Sequence, residues 1–222
     1  MAAAFPQRSI LLIALAAMGI AVLLPFDQGL RVVSFGHLPI HVLLVGVLAL
    51  AGGWFAQKGG LSSAAHLRAG LLWALGMAAY VLLLDLVVAR PLMPAGAMAY
   101  AHMPLLGRLT VFMMRAFNES VIYRLFLFGG LIAVLQSRFS RPLPPMVVLA
   151  AALVAQLANI GINLGLGEAG AIGPALLLYW LLRYVLPGVV WGWLYWRHGF
   201  VTTEIASTGV HLFLQPLVGF LV

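Results

Sequence analysis

The sequence predicts an all-α, polytopic membrane helix bundle of about seven transmembrane helices, forming one integral membrane domain over residues 1–222. Three observations predict it. Of 222 residues, 64% are hydrophobic and 8% charged, whereas a soluble domain is about a quarter charged; mean hydropathy is +1.10. Seven apolar segments stand out, at about 9–25, 39–57, 69–89, 109–136, 146–164, 172–196 and 201–221, each near the ~20 residues a spanning helix needs. Every connection between them carries charge, proline or glycine (PFDQGLR, QKGGLSS, ARPLMPAG, SRFSRPLPP, GLGEAG, WRHG). None is long enough for a second domain, and no internal repeat or low-complexity tract is present.

The net charge of +7 comes from scattered basic residues, a pattern of membrane topology rather than nucleic-acid binding. The absence of cysteine excludes disulfides, thiol catalysis and zinc–thiolate sites. Residues 10–25 follow Arg8 like a secretory signal, but read better as a first transmembrane helix. With loops assigned to alternating sides, one side receives Arg8, Lys58, Arg68, Arg138, Arg141 and Arg197, and the other Arg31, Arg90 and Arg108. Six against three places the N-terminus in the cytoplasm and the C-terminus outside. In segment three, Asp85 is expected as an interfacial cap or a partner for Arg90. Residues 91–108, with two prolines, are expected in the interface or dipping into the membrane. His41 and His102 are expected to be interfacial.

Segment four, LTVFMMRAFNESVIYRLFLFGGLIAVLQ at 109–136, organises the rest. Arg115, Asn118, Glu119, Ser120 and Arg124 sit near its middle. An ionised side chain at that depth costs at least ~2.5–3.5 kcal/mol and must find partners or water. Arg115 and Glu119 are four apart and can pair on one helix face. Arg124 lies ~140° round an α-helix from Glu119 and ~40° from Ser120, so that pair leaves it unexplained.

Segment five carries Gln156, Asn159 and Asn163 at offsets of three and four, one polar stripe. Segment six holds Arg183, then Pro187-Gly188, which should kink it, and ends in an aromatic belt, WGWLYWRHG. Segment seven places Glu204, Ser207, Thr208, His211 and Gln215 on one face. Glu204, near the cytoplasmic end, is expected at the interface. Segments four, five and seven can bury their stripes only against one another or against water. The expected assembly is a polar cavity holding Glu119, Asn159, His211 and Gln215. A carboxylate and an imidazole around trapped water suggest hydrolysis, the carboxylate as general base and His with an amide stabilising an oxyanion. A zinc hydrolase uses three His/Glu-type ligands; only Glu119 and His211 qualify and HExxH is absent, so no metal or other cofactor is expected.

ESVIYRLFLFGGL at 119–131 resembles the EExxxR motif of the CPBP intramembrane proteases, the group that includes CAAX prenyl endopeptidases and Abi bacteriocin-immunity proteins. PGVVWGWLYWRHGFVTTEIASTGVHLFLQPL at 187–217 is similar to that family's last two helices, which end in HxxxN. The resemblance covers about residues 109–217. It implies that Glu119 activates water, that Arg124 is the motif arginine, and that His211 is the last motif's histidine. Ser120 stands where a second glutamate belongs, Asn159 where the middle motif has histidine, and Gln215 where it has asparagine. An amide at 159 can orient a water but cannot take its proton. The implied activity is cleavage of a membrane-anchored or lipidated protein in a bacterial inner membrane, among lipids. The alternative is a catalytically degenerate homologue serving as a scaffold, assembly or immunity partner. A small transporter or proton relay is a third reading, without the repeats expected of one.

Overall fold

The computed structural model describes residues 5–25, 27–89, 102–139, 142–163 and 173–218. These residues form helices and, among themselves, no strand. In chain order they are α1 (Gln7–Leu23), α2 (Gln28–Val33), α3 (Leu38–Lys58), α4 (Leu67–Leu84, continued by Asp85–Ala89), α5 (Leu105–Arg138), α6 (Pro145–Asn163), α7 (Pro174–Trp180, Leu181–Val185 and Leu186–His198) and α8 (Phe200–Val218). Five of them, α3 to α7, are long and apolar enough to cross a membrane. The sequence predicts seven such spans. The other two expected, α1 with 17 residues and α8 with its polar face, fall outside that set. Arg90, Arg141 and most of the 91–108 loop lie outside the described residues.

Without a hydrophobic drive between helices in lipid, close packing of small side chains holds them together. Ala14, Ala17 and Ala21 of α1 and Val45, Ala49 and Ala56 of α3 belong to one core with Val121, Leu125 and Phe128 of α5. At Gly52 of α3 the approach is to the backbone of α5 itself: a Cβ there would sit 2.8 Å from Phe126 N. A second core joins α4, α7 and α8 through Met77, Val81, Trp191, Leu194, Ala206, Val210 and Leu214. Leucines such as Leu12, Leu15, Leu43, Leu72 and Leu75 stay exposed on the outside, as a lipid-facing surface requires.

One end of the bundle is tied by backbone bonds. Phe200 N donates to Ser62 O at 2.9 Å, and Thr202 N to Ala64 O at 3.1 Å, so the α3–α4 loop satisfies amides that a helix start leaves unpaired. Gly199 makes the turn at φ +90°, where a Cβ would meet Ala64 N at 2.5 Å.

Three stretches widen from α to π geometry: Asp85–Ala89 in α4, Ser120–Phe128 in α5 and Leu181–Val185 in α7. Such stretches are rare and frequently mark functional sites. Each of the three carries a charged residue: Asp85, Arg124 or Arg183. The third has a visible cause, because Pro187 has no N–H to give to the Arg183 carbonyl. The expected disturbance at Pro187-Gly188 thus falls just ahead of the proline.

Candidate functional site

A cavity of about 520 Å³ opens between α4, α5, α6, α7 and α8. Glu119, Arg124, Asn159, His211 and Gln215 all line it. The three polar stripes of α5, α6 and α8 meet there, but α4 and α7 also wall it, with Met77 and Val81 from one and Arg183 and Trp191 from the other.

The π stretch of α5 accounts for Arg124. With i→i+5 bonding, residues five apart come to neighbouring positions on the helix, so Arg124 shares the cavity with Glu119 instead of lying ~140° away. Its guanidinium donates to Ser120 Oγ, and Ser120 Oγ–H goes on to the Ala116 carbonyl at 2.9 Å. Glu119 is held at Oε1 by Arg115 Nε at 2.7 Å, the pair expected from their spacing. Among the described residues, Glu119 is the one carboxylate in the cavity lining.

Hydrogen-bonding side chains share the same lining. Gln215 Nε2 lies 3.4 Å from His211 Nδ1. With Nε2 towards His211 the amide leaves its Oε1 buried without a hydrogen bond among the described residues; turned over, it would bury an NH₂ with two unmet donors there instead, so the better assignment has Nδ1 accepting. His211 then carries its hydrogen on Nε2. Phe112 stacks on the imidazole at 5.6 Å between ring centres. Asn159 Oδ1 accepts from Asn163 Nδ2 at 2.9 Å, leaving its own NH₂ for the cavity. Gln156 Nε2 donates to the Tyr184 carbonyl at 3.1 Å. Its side chain fills the space over Gly188, where a Cβ would fall 2.0 Å from Gln156 Cδ. Among the described residues, no cluster of three His, Asp or Glu side chains could hold a metal ion.

No known family model, curated protein or solved structure matches the chain. The reading of the cavity therefore stands on its residues.

Several residues lie elsewhere than expected. Glu204, expected at the interface, is 7% exposed and buried inside the bundle. It faces Arg124 and Ser120, yet both its oxygens are buried without a hydrogen bond among the described residues; the Ser120 proton is already given to Ala116. Arg124 thus lies in the field of two carboxylates, Glu204 and Glu119. Asp85, at the C-cap position of Leu67–Leu84, is buried, pairs with Arg183 Nε at 2.9 Å and accepts from Tyr179 Oη at 2.8 Å. Arg108 is not a loop charge. It is 6% exposed within α5 and donates to the Gln215 carbonyl at 3.0 Å and to the Met103 carbonyl at 3.1 Å, a cation at the C-terminal end of α8 where the helix dipole favours one. His41 is buried within the protein, whereas His102 is exposed. Asp27, which the sequence shows only as a loop acid, is buried in a polar network with Tyr123 and Asn163.

Proposed function

We propose that the cavity is the active site of an intramembrane glutamate-type endopeptidase of CPBP-like kind. The single observation that carries this reading is the convergence of Glu119, Asn159, His211 and Gln215 on one cavity, where Glu119 is the one carboxylate among the described residues. In this reading the Glu119 carboxylate takes a proton from water as its oxygen bonds to the scissile carbonyl carbon. The developing oxyanion accepts from His211 Nε2–H and the Asn159 amide. As the C–N bond breaks, Glu119 returns the proton to the leaving nitrogen, giving an acid and an amine. Gln215 holds the His211 tautomer, and Arg124 balances charge between Glu119 and Glu204. The substrate is a peptide bond of a membrane-anchored or lipidated protein, reached among lipids of a bacterial inner membrane. In the same proposal α1 and α8 complete seven spans, with the N-terminus in the cytoplasm.

A second reading has its own support. Arg115 occupies one oxygen of Glu119, and Asn159 cannot act as a base. Both suit a degenerate homologue that keeps the bundle as a scaffold, assembly or immunity partner. Glu119→Gln separates the two, since it keeps shape and removes the proton acceptor. Complementation of a deletion strain, run beside a cleavage blot, should show activity falling by orders of magnitude. His211→Ala should cost roughly 10²–10³-fold. Full complementation by the Glu119→Gln protein would overturn the enzymatic reading.

A further inference from the structure

Asp27 lies outside the cavity, in the turn between α1 and α2, and is 2% exposed. Its Oδ1 accepts the Leu30 amide at 2.9 Å and caps α2. Its Oδ2 accepts Tyr123 Oη–H at 2.7 Å and Asn163 Nδ2–H at 3.2 Å. Asn163 therefore turns its NH₂ towards Asp27. The other end of the same amide agrees: Asn163 Oδ1 accepts the Gln28 backbone N–H at 3.2 Å. With an acceptor at one end and a donor at the other, the Asn163 side chain has one workable orientation. Its NH₂ also donates to Asn159 Oδ1 at 2.9 Å, and that commits the Asn159 carbonyl.

We propose that Asp27, acting through Asn163, locks the Asn159 amide with its NH₂ towards the cavity, making residue 159 a fixed hydrogen-bond donor to a carbonyl or oxyanion of the ligand. The nature of that acceptor rests on the enzymatic reading above; the lock itself rests on hydrogen bonding alone. Asp27 and Asn163 are positioning residues. Tyr123, from the π stretch of α5, supports Asp27 and accepts from Asn163 at 3.1 Å. The lock joins three separate parts of the chain: the turn before α2, the middle of α5 and the end of α6. It also gives the polar stripe of α6 a division of labour, since Asn163 orients and Asn159 presents.

The chain has three asparagines, 118, 159 and 163, so asparagine-selective ¹⁵N labelling yields three side-chain NH₂ signals. In lipid nanodiscs these are assigned by Asn118→Ala and Asn159→Ala. The Asn159 NH₂ should show magnetisation transfer from water, and the Asn163 NH₂ should not. The double variant Asp27→Asn/Asn163→Asp keeps one buried carboxylate but moves it to residue 163, which then accepts from the amide at 27 and from the Gln28 N–H and has nothing to donate; the Asn159 NH₂ turns to it, and its water transfer should disappear. Should that protein fail to fold, Asn163→Leu tests the same point: residue 163 neither donates nor accepts, the Asn159 amide samples both orientations, and its water transfer should fall to about half. Absence of Asn159 water transfer in the unmodified protein, or transfer unchanged in the variant, overturns the proposal. The spectrum reads orientation and not cleavage. A locked Asn159 in a protein that cuts nothing would retire the enzymatic reading and leave the lock standing.

Discussion

Replacing Gly52 by alanine tests the closest helix approach in the bundle. A Cβ at residue 52 would lie 2.8 Å from Leu125 C and Phe126 N, and 2.9 Å from Phe126 Cα. All three are backbone atoms of the π stretch and cannot swing aside. Carbon contacts are optimal at about 3.5–4.0 Å, so α3 and α5 must part by roughly 0.6–1.2 Å. A gap of that order forfeits about a quarter to a half of each facing dispersion contact. Those contacts include Val45, Ala49 and Ala56 against Val121, Leu125 and Phe128, all with no exposure. Overpacking of this kind costs about 1–3 kcal/mol, which for a chain of this size lowers Tm by roughly 2–12 °C. The same shift moves Arg124, and a displacement of about 1 Å can cost ~10²-fold in rate. Gly76→Ala is the control: nothing lies within 4 Å of a Cβ there, and relief of glycine's entropy in a helix should stabilise by about 0.5–1 kcal/mol. Thermal melting of both purified variants in one detergent decides the matter. A Gly52→Ala protein that melts with the unmodified protein, or above it, refutes the reasoning.

Asp85→Leu should destabilise by up to about 3–5 kcal/mol by removing the buried carboxylate that Arg183 and Tyr179 share, and the double variant Asp85→Leu with Arg183→Met should recover part of that loss; equal melting of single and double variants would mean the pair is not the cause. The orientation is open to a simple probe, because the chain has no cysteine. A Phe139→Cys protein should react with an impermeant maleimide in inverted vesicles and not in intact cells. Labelling in intact cells would reverse the topology.

The helices and their polar faces were readable from the sequence, because burial inside a bundle forces polar residues onto one face at helical spacing. Gln156, Asn159 and Asn163 show it on α6, and Ser207, His211 and Gln215 on α8. The position of Arg124 was not readable, since the angular arithmetic assumes an unbroken α-helix and nothing in SVIYRLFLF marks a π stretch. The burial of Glu204 has no local sign either, since its neighbours Arg124 and Ser120 belong to α5. Asp85 with Arg183, and Asp27 with Tyr123 and Asn163, are partnerships of residues some forty to 136 positions apart. No local pattern announces them, and each acid read alone looks like an interfacial charge.

The π stretch at Ser120–Phe128 also gives α5 something like a reading frame. Upstream, Leu105–Glu119 turns Glu119 to the cavity; downstream, Gly129–Arg138 turns Ile132 into the α1–α3 core. The widened turns set the angle between those two faces, and that angle depends on how many residues lie between them more than on which residues they are. Loss of one residue from 120–128 would rotate the downstream half by about 100°, taking Ile132 out of the core. In this stretch a conservative substitution edits a side chain, whereas a one-residue deletion changes the phase of every side chain after it.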